Sequence, residues 1–218
     1  MKLSATPALY STLRQQMVNS QLRARGIADE RVLAAMERVP RHEFAPPQYR
    51  DQAYEDHPLP IAEGQTISQP YIVALMLQSL ELSPTDRVME VGTGSGYVTA
   101  LLAELAAQVI SIERHRSLAD SARALLVTLG YANAKIVTGD GTRGFLEAAP
   151  YDAIIVSAAA PGMPPALLDQ LADGGRMIIP VGADETQQLQ LVRIEHGQPK
   201  IEFRELCRFV PLISEISD

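Results

Sequence analysis

The sequence predicts a doubly wound α/β fold with a mostly parallel sheet, an antiparallel pair of strands at one edge, and a helical segment before the sheet. Three observations support this fold class. Short apolar runs alternate with segments of helical periodicity from residue 70 onward. A glycine-rich stretch, residues 92–96, joins one apolar run to the next helix. Near the end of the chain two runs follow each other directly across the turn sequence 196–199.

The composition bounds the size of the protein. The chain has 218 residues, of which 46% are hydrophobic, and this suits a single domain with one sizeable core. We expect residues 70–218 to form the α/β core. Residues 1–69 are expected to form a helical and loop-rich extension that contributes to the substrate site.

The charge and the cysteine content exclude several classes of protein. An acidic chain with a net charge of −7 repels phosphate backbones, so we expect no nucleic-acid partner. The nearest candidate for a local basic patch consists of Arg23, Arg25 and Arg31, which we interpret as a solvated helix face. Because Cys207 is alone, neither an internal disulfide nor a multi-cysteine zinc site is possible, and no metal is expected. No apolar run suggests a signal peptide or a membrane span, so we expect a soluble, cytoplasmic protein without a membrane partner, and a monomer.

Two helices are predicted before the core. Residues 8–26 carry apolar side chains at helical spacing, and Gly26 ends this helix. Asp29 is a good N-cap for a second helix, which Pro40 ends. Residues 41–69 show no clear period and contain four prolines, so we expect a loop-rich segment pinned down by its aromatic and aliphatic side chains.

The core elements follow in order from Pro70, which suits the first turn of a helix. Helical spacing predicts helices, and short apolar or alternating runs predict strands. The predicted helices cover residues 70–80, 97–105, 118–129 and 165–171, the last ended by Gly174 and Gly175. The predicted strands cover residues 88–91, 108–112, 135–138, 151–157, 177–181, 189–194 and 201–210, of which the last two form the antiparallel pair.

The glycine-rich stretch indicates a ligand site. Gly92, Gly94 and Gly96 follow a predicted buried strand, so the backbone can turn sharply and approach a ligand with free N–H groups at the start of a helix. Glu90 precedes the glycines. Glu113 ends the next strand roughly 20 residues on, where an acid can accept hydrogen bonds from ribose hydroxyls. The glycines are spaced G-x-G-x-G, which differs from the dinucleotide pattern G-x-G-x-x-G.

Further polar residues are predicted at the same edge of the sheet. In doubly wound sheets, ligands bind at the carboxyl ends of the strands. Asp140 with Gly141, and Ser157 with residues 158–160, follow predicted strands. We therefore expect them to share one crevice with the glycine loop.

Residues 90–96, followed by the acid after the second strand, resemble the cofactor site of S-adenosylmethionine-dependent methyltransferases. Longer stretches, almost end to end, are similar to the protein-L-isoaspartate O-methyltransferase family. The most specific are residues 64–70, GQTISQP, and residues 208–212, RFVPL. Other matching stretches are RHEF at 41–44, AYED at 53–56, PLPI at 58–61, EVGTGSGY at 90–97, GDG at 139–141, APYD at 149–152 and AAA at 158–160.

The resemblance implies a Rossmann-like methyltransferase sheet and a defined reaction. A methyl group passes from S-adenosylmethionine to the free α-carboxylate of L-isoaspartyl residues in damaged proteins, which initiates repair to aspartate. Isoaspartyl-containing proteins and peptides would be the partners. Because an unperturbed carboxyl group titrates near pH 4, the acceptor is ionised at neutral pH and needs no general base, so positioning supplies the catalysis.

The resemblance also implies roles for individual residues. Glu113 would accept from the ribose hydroxyls, Asp140 and Gly141 would face the adenine, and Glu90 would orient the glycine loop or receive the amino group of the methionine moiety. The full set implied for the cofactor is Glu90, Gly92, Thr93, Gly94, Gly96, Glu113, Asp140 and Gly141. Alternatives stay open: a solvated acid for Glu113, an ordinary turn for Asp140, and a helix-dipole partner for Glu90.

Ser68 is the implied catalytic residue, whose hydroxyl orients the substrate carboxylate, with Thr66 beside it. The alternative is that Ser68 or Thr66 merely caps the helix that starts near Pro70. The other residues implied for the substrate are Ile67, Ala159 and Val210. The four histidines and Cys207 fit neither a metal site nor a nucleophile–base pair, so we interpret them as structural or surface residues.

Two other functions are compatible with the same fold. The chain could methylate a small molecule or a different carboxylate, in which case isoaspartyl peptides would not be substrates. It could also be a non-enzymatic relic that binds the cofactor and serves as a partner-binding module, although a relic has no need of both an intact glycine loop and an intact 64–70 segment.

Overall fold

A computed structural model gives the fold and describes residues 6–214. The chain begins with helix α1 (Pro7–Gln16), which continues without a break through a π-helical stretch, Met17–Leu22, and a 3-10 turn, Arg23–Arg25. Gly26 adopts a left-handed conformation with φ of 92° and ends the helical run. The first predicted helix is therefore confirmed, although its last part is not α-helical.

The second N-terminal helix, α2 (Glu30–Arg38), is also confirmed, and the Asp29 carboxylate caps it as expected. The three nearby arginines are exposed, as expected for a solvated face, but two of them also bind distant parts of the chain. Arg31 donates to backbone carbonyls of the core, one of them that of Leu105 at 2.7 Å. Arg25 forms an ion pair with Asp56 of the segment 41–69, with 2.5 Å between Nη1 and Oδ2.

The segment 41–69 is more ordered than the expectation of a loop. The wholly buried side chain of Arg41 fixes it, because its Nε atom donates to the carbonyl of Ala53 at 2.7 Å. The segment 41–69 also contains two strands of two residues each, which pair with each other in antiparallel fashion. The ordered pieces are α3 (Arg41–Phe44), a 3-10 turn at Pro47–Gln52, β1 (Leu59–Pro60), a turn at Ala62–Gly64 and β2 (Thr66–Ile67).

The elements of the core follow in the predicted order, and two 3-10 turns, Gly141–Arg143 and Leu146–Ala148, take the place of a helix between the third and fourth of its strands. Its elements are α4 (Pro70–Leu80), β3 (Arg87–Val91), α5 (Tyr97–Leu105), β4 (Gln108–Glu113), α6 (Arg116–Thr128), β5 (Ala134–Thr138), β6 (Tyr151–Val156), α7 (Pro165–Leu168), β7 (Leu171–Val181), β8 (Gln187–Glu195) and β9 (Gln198–Cys207).

Seven strands form one sheet in the order β5-β4-β3-β6-β7-β8-β9. Strands β3 to β7 are parallel, whereas β8 is antiparallel to both of its neighbours. The predicted doubly wound sheet with an antiparallel edge pair is therefore confirmed. The order of the strands reverses between β3 and β6, and a ligand crevice is expected at that point.

Several boundaries differ from the prediction by a few residues, and two differences are informative. Helix α7 ends at Leu168, and Gly174 and Gly175 lie inside β7 instead of ending a helix. The pairing of β6 with β7 shifts register here, and an irregularity of this kind suits glycine. The last strand ends at Cys207 rather than at residue 210, because the chain then leaves β8 and crosses to the carboxyl end of β6.

The sheet is covered on both faces. Neighbouring residues of β3 point to opposite sides: Val88 packs with the N-terminal helices and α5, while Met89 packs in a second cluster with residues of α7. This arrangement explains why the central strands read as continuous apolar runs. Among the helices of residues 6–214, none is long and apolar enough to cross a membrane.

Candidate active site

One cavity opens at the carboxyl ends of β3, β4 and β6, which is where the fold predicts a ligand. The glycine loop forms its floor, and the segment after β9 forms one wall. Its lining residues come from 65–68, 91–95, 97–98, 112–115, Gly141, 157–158 and 210–213.

The glycine loop needs its small residues for both conformation and space. Gly96 is the N-cap of α5 with φ of 88°, and a Cβ atom there would lie 3.1 Å from the Cβ of Ala122 in α6. A Cβ atom at Gly141 would lie only 2.4 Å from Cγ1 of Val91. The backbone of the cavity is therefore packed too closely for larger residues at these two positions.

Glu113 ends β4 and contacts the glycine loop directly. One carboxylate oxygen accepts from the N–H of Gly94 at 2.9 Å, and the other accepts from the N–H of His115 at 2.9 Å. The side chain is only 5% exposed and lines the cavity. Glu113 is therefore no solvated surface acid, and it fixes the loop at the place where the resemblance puts a ribose.

Glu90 lies beneath the loop and does not line the cavity. It is completely buried, and its Oε2 atom accepts from the hydroxyls of Thr99 at 2.5 Å and Ser111 at 2.6 Å. The Ser111 hydroxyl is also 2.5 Å from that of Thr93, which does line the cavity. Glu90 therefore supports the loop through hydroxyls, and a direct contact with a ligand stays a prediction.

Burial raises the pKa of Glu90 from its ordinary 4.5 to about 8, because the charged form loses its hydration. Between these two values the folded protein retains a proton that the unfolded chain has released. The free energy of unfolding therefore decreases as the pH rises through this range, by about 1.4 kcal/mol per pH unit.

Glu90→Gln, which cannot ionise, is expected to remove this pH dependence. The variant should match the wild type near pH 5 and exceed its stability above pH 8, as measured by urea denaturation at several pH values. The exposed Glu205→Gln is the control and should follow the wild type. Parallel stability profiles for the wild type and Glu90→Gln would contradict the assignment of a protonated Glu90.

Asp140 and Gly141 follow β5 and occupy different positions relative to the cavity. Gly141 lines it. The Asp140 carboxylate caps the short turn Gly141–Arg143, since it accepts from the N–H of Thr142 at 2.9 Å and from its hydroxyl at 2.7 Å. The turn-forming role of Asp140 is thus visible in the structure, and its contact with an adenine stays a prediction.

Ser68 follows β2 and borders two cavities at once. The second is a groove of about 640 Å³, and four residues line both spaces: Thr66, Ser68, Ser157 and Val210. Ile67 lines the first cavity only. The remaining residues of the groove are Pro58, Gln69, Ile72, Thr186, Leu206, Cys207, Arg208 and Phe209.

Neither Ser68 nor Thr66 caps helix α4. The N-cap position is occupied by Gln69, and no side chain of residues 6–214 forms a cap hydrogen bond there. The alternative of a purely capping hydroxyl is therefore wrong. Ser68 is half-buried at the junction of the two cavities, where its hydroxyl is available to a ligand.

The chain after β9 closes the site from the other side. The carbonyl of Val210 accepts from the N–H of Ala159 at 2.8 Å, and the N–H of Leu212 donates to the carbonyl of Ala159 at 2.7 Å. Val210 lines both spaces, whereas Ala159 lines neither and borders a separate surface cavity. Ala159 thus holds the strap formed by residues 209–212, and a direct substrate contact stays a prediction.

Ser157 shares the cavity with the glycine loop, so that prediction is confirmed, and it also borders the groove. His115 is a lining residue that the sequence analysis interprets as structural or surface. Its place just after the end of β4 is the signal that could have identified it. For the strap, residues 209–212, the family resemblance was the available signal. Its position in the site depends on hydrogen bonds to Ala159, which is distant in the sequence.

Comparisons with known proteins agree with this geometry. The family model described as protein-L-isoaspartate(D-aspartate) O-methyltransferase matches residues 13–217. A protein-L-isoaspartate O-methyltransferase of Koribacter versatilis is 54% identical over 213 residues, which cover 97% of this chain and 96% of that one. One from Methanoculleus marisnigri is 56% identical over 203 residues, covering 93% and 92%.

Solved structures show the same similarity. A protein-L-isoaspartate O-methyltransferase superimposes with a TM-score of 0.85 at 28% identity, covering 93% of this chain and 67% of that one. A Plasmodium falciparum structure of the same named activity, in complex with S-adenosyl-L-homocysteine, gives a TM-score of 0.80 at 30% identity and covers 92% and 98%.

Proposed function

This chain belongs to the protein-L-isoaspartate(D-aspartate) O-methyltransferase family, and from that membership we propose how it methylates the free α-carboxylate of L-isoaspartyl residues. One observation carries the proposal. Ser68 stands where the cavity over the glycine loop meets the groove beside it, so the methyl donor and the acceptor carboxylate come together at its hydroxyl.

The residues of the cavity suit S-adenosylmethionine. The glycine loop brings backbone into its lining, and the carboxylate of Glu113 lies at the end of β4. A Cβ atom at Gly92 would already be in contact with Ser157, at 3.5 Å. When bound, S-adenosylmethionine supplies a methyl group on a sulfonium, which needs no further activation. Glu113 would hold the ribose hydroxyls, and Gly141 would face the adenine.

The chemistry asks little of the side chains. The acceptor carboxylate is ionised at neutral pH, so no base has to remove a proton. A carboxylate oxygen forms the new bond to the methyl carbon as the carbon–sulfur bond breaks and S-adenosylhomocysteine leaves. Ser68 donates a hydrogen bond to the other oxygen and aligns the acceptor, while the walls exclude water.

The remaining substrate residues belong to two segments. Thr66 and Ile67 in β2 bring the N-terminal extension, residues 1–69, to the substrate site, and residues 70–218 provide the core that binds the cofactor. Val210 contacts the substrate from the strap, which Ala159 holds in place. We propose that the protein acts as a monomer in the cytoplasm, a reducing compartment that suits its lone buried cysteine.

Repair is the outcome that a conversion experiment tests. An isoaspartyl peptide is incubated with enzyme and S-adenosylmethionine, and chromatography follows the two isomers. The methyl ester loses methanol to form a succinimide, whose hydrolysis returns aspartate or isoaspartate, so repeated turnover should accumulate the aspartyl peptide. The ratio of aspartyl to isoaspartyl peptide is compared with that of a sample without enzyme. If the two ratios are equal although the same enzyme preparation binds S-adenosylhomocysteine, the assignment of the substrate is overturned.

A further inference from the structure

The residue after Ser68 is tied to a distant segment. The side chain of Gln69 donates from Nε2 to the carboxylate of Asp56 at 2.9 Å and to its backbone carbonyl at 3.1 Å. It makes these bonds instead of capping α4. The residue that follows Ser68 is therefore bound to Asp56, in addition to the pairing of Ile67 with Leu59 just before Ser68.

Asp56 is in turn bound to the N-terminal helical run. Nη1 of Arg25 lies 2.5 Å from the Asp56 Oδ2 atom that also accepts from Gln69. The guanidinium carbon of Arg25 is 3.5 Å from the ring centroid of Tyr71, in the first turn of α4. Arg25 thus contacts the chain on both sides of Ser68, through Asp56 and Gln69 before the helix and through Tyr71 within it.

This arrangement is better suited to positioning than to stability. The side chains of Arg25 and Asp56 are 43% and 27% exposed, and a pair of this kind typically contributes about 0–1 kcal/mol. The N-terminal region has other anchors, including the bonds from Arg31 to carbonyls of the core. Loss of the Arg25–Asp56 pair is therefore expected to leave the fold intact.

We propose that Arg25 and Asp56 are positioning residues that hold Ser68, through Gln69, at the junction between the cavity and the groove. The proposal rests on the proposed function of Ser68. None of the three side chains of Arg25, Asp56 and Tyr71 lines either space, so they act on the reaction only through the segment that they hold.

The test compares Asp56→Ala and Arg25→Ala with the wild type for methylation of an isoaspartyl peptide. Both variants should lower kcat by about tenfold or more, because small misplacements of an aligning group are costly. The affinity for S-adenosylhomocysteine and the thermal midpoint should stay near wild type. Asp56→Asn retains an oxygen acceptor for Gln69 and should recover much of the lost kcat. Arg23→Ala, in the same helical turn and paired with the exposed Glu30, is the matched control and should be unaffected.

The Ser68→Ala background separates positioning from a general structural effect. If Asp56 acts through the hydroxyl of Ser68, Asp56→Ala should lower kcat little further in that background, so the two losses should be far from additive. Additive losses, a wild-type kcat for Asp56→Ala, or an equal fall in cofactor affinity would each overturn the proposal. A wild-type enzyme that fails to methylate the peptide would instead overturn the proposed function.

Discussion

Ser68→Ala is expected to lower the turnover of an isoaspartyl peptide by about 10- to 100-fold. A hydrogen bond from a hydroxyl to a charged acceptor contributes about 1.5–3 kcal/mol, and its loss would appear in the rate because the bond aligns the reacting carboxylate. The affinity for S-adenosylhomocysteine, measured by calorimetry, should stay near wild type, since the proposed complex holds the cofactor mainly through the glycine loop and Glu113.

The control for this variant is Ser121→Ala, a residue exposed on α6 whose hydroxyl donates to the carbonyl of Ser117 in the same helix. It should leave both turnover and affinity unchanged. An equal loss of turnover and cofactor affinity in Ser68→Ala would contradict the role in substrate alignment, because Ser68 would then be maintaining the shape of the whole site.

Glu113→Ala is expected to weaken the binding of S-adenosylhomocysteine by about 100-fold or more. The variant removes the carboxylate that accepts from Gly94 and, in the proposed complex, the acceptor for the ribose hydroxyls. Each hydrogen bond to a charged group contributes about 1.5–3 kcal/mol. Losing the bonds to both ribose hydroxyls should therefore have a larger effect than losing the single bond that Ser68 makes. Calorimetry gives the affinity, and circular dichroism verifies that the variant is folded.

Glu113→Gln should lie between the wild type and Glu113→Ala, because the amide keeps an acceptor oxygen but loses the charge. The exposed Glu147→Ala, in a turn before β6, should bind like the wild type. Unchanged affinity in a folded Glu113→Ala would contradict the assignment of Glu113 to the cofactor.

The α/β core could be predicted because its signals are local. Apolar periodicity, Gly26 after the first helix and the Pro70 start depend on neighbouring residues, and most elements formed close to where they were expected. The segment 41–69 could not be predicted in detail. Its order depends on Arg41 and on two-residue strands that pair only in the folded chain.

The same distinction applies to the site. Gly141 and Glu113 were found because strand ends meet at one edge of the sheet. The position of Glu90 was not, because β3 is buried on both faces and its side-chain pattern does not distinguish a ligand contact from a support beneath the loop. The pairs formed by Arg25, Asp56 and Gln69 left no local signal, since 31 and 13 residues separate the partners.

The central claim is tested most directly by methyl transfer from labelled S-adenosylmethionine to two peptides that differ only in carrying L-isoaspartate or L-aspartate at one position. The structure and the family membership predict label on the isoaspartyl peptide alone, as a base-labile ester. Equal labelling of both peptides, or no labelling of either while the cofactor is bound, would contradict the claim that this site recognises the isoaspartyl carboxylate.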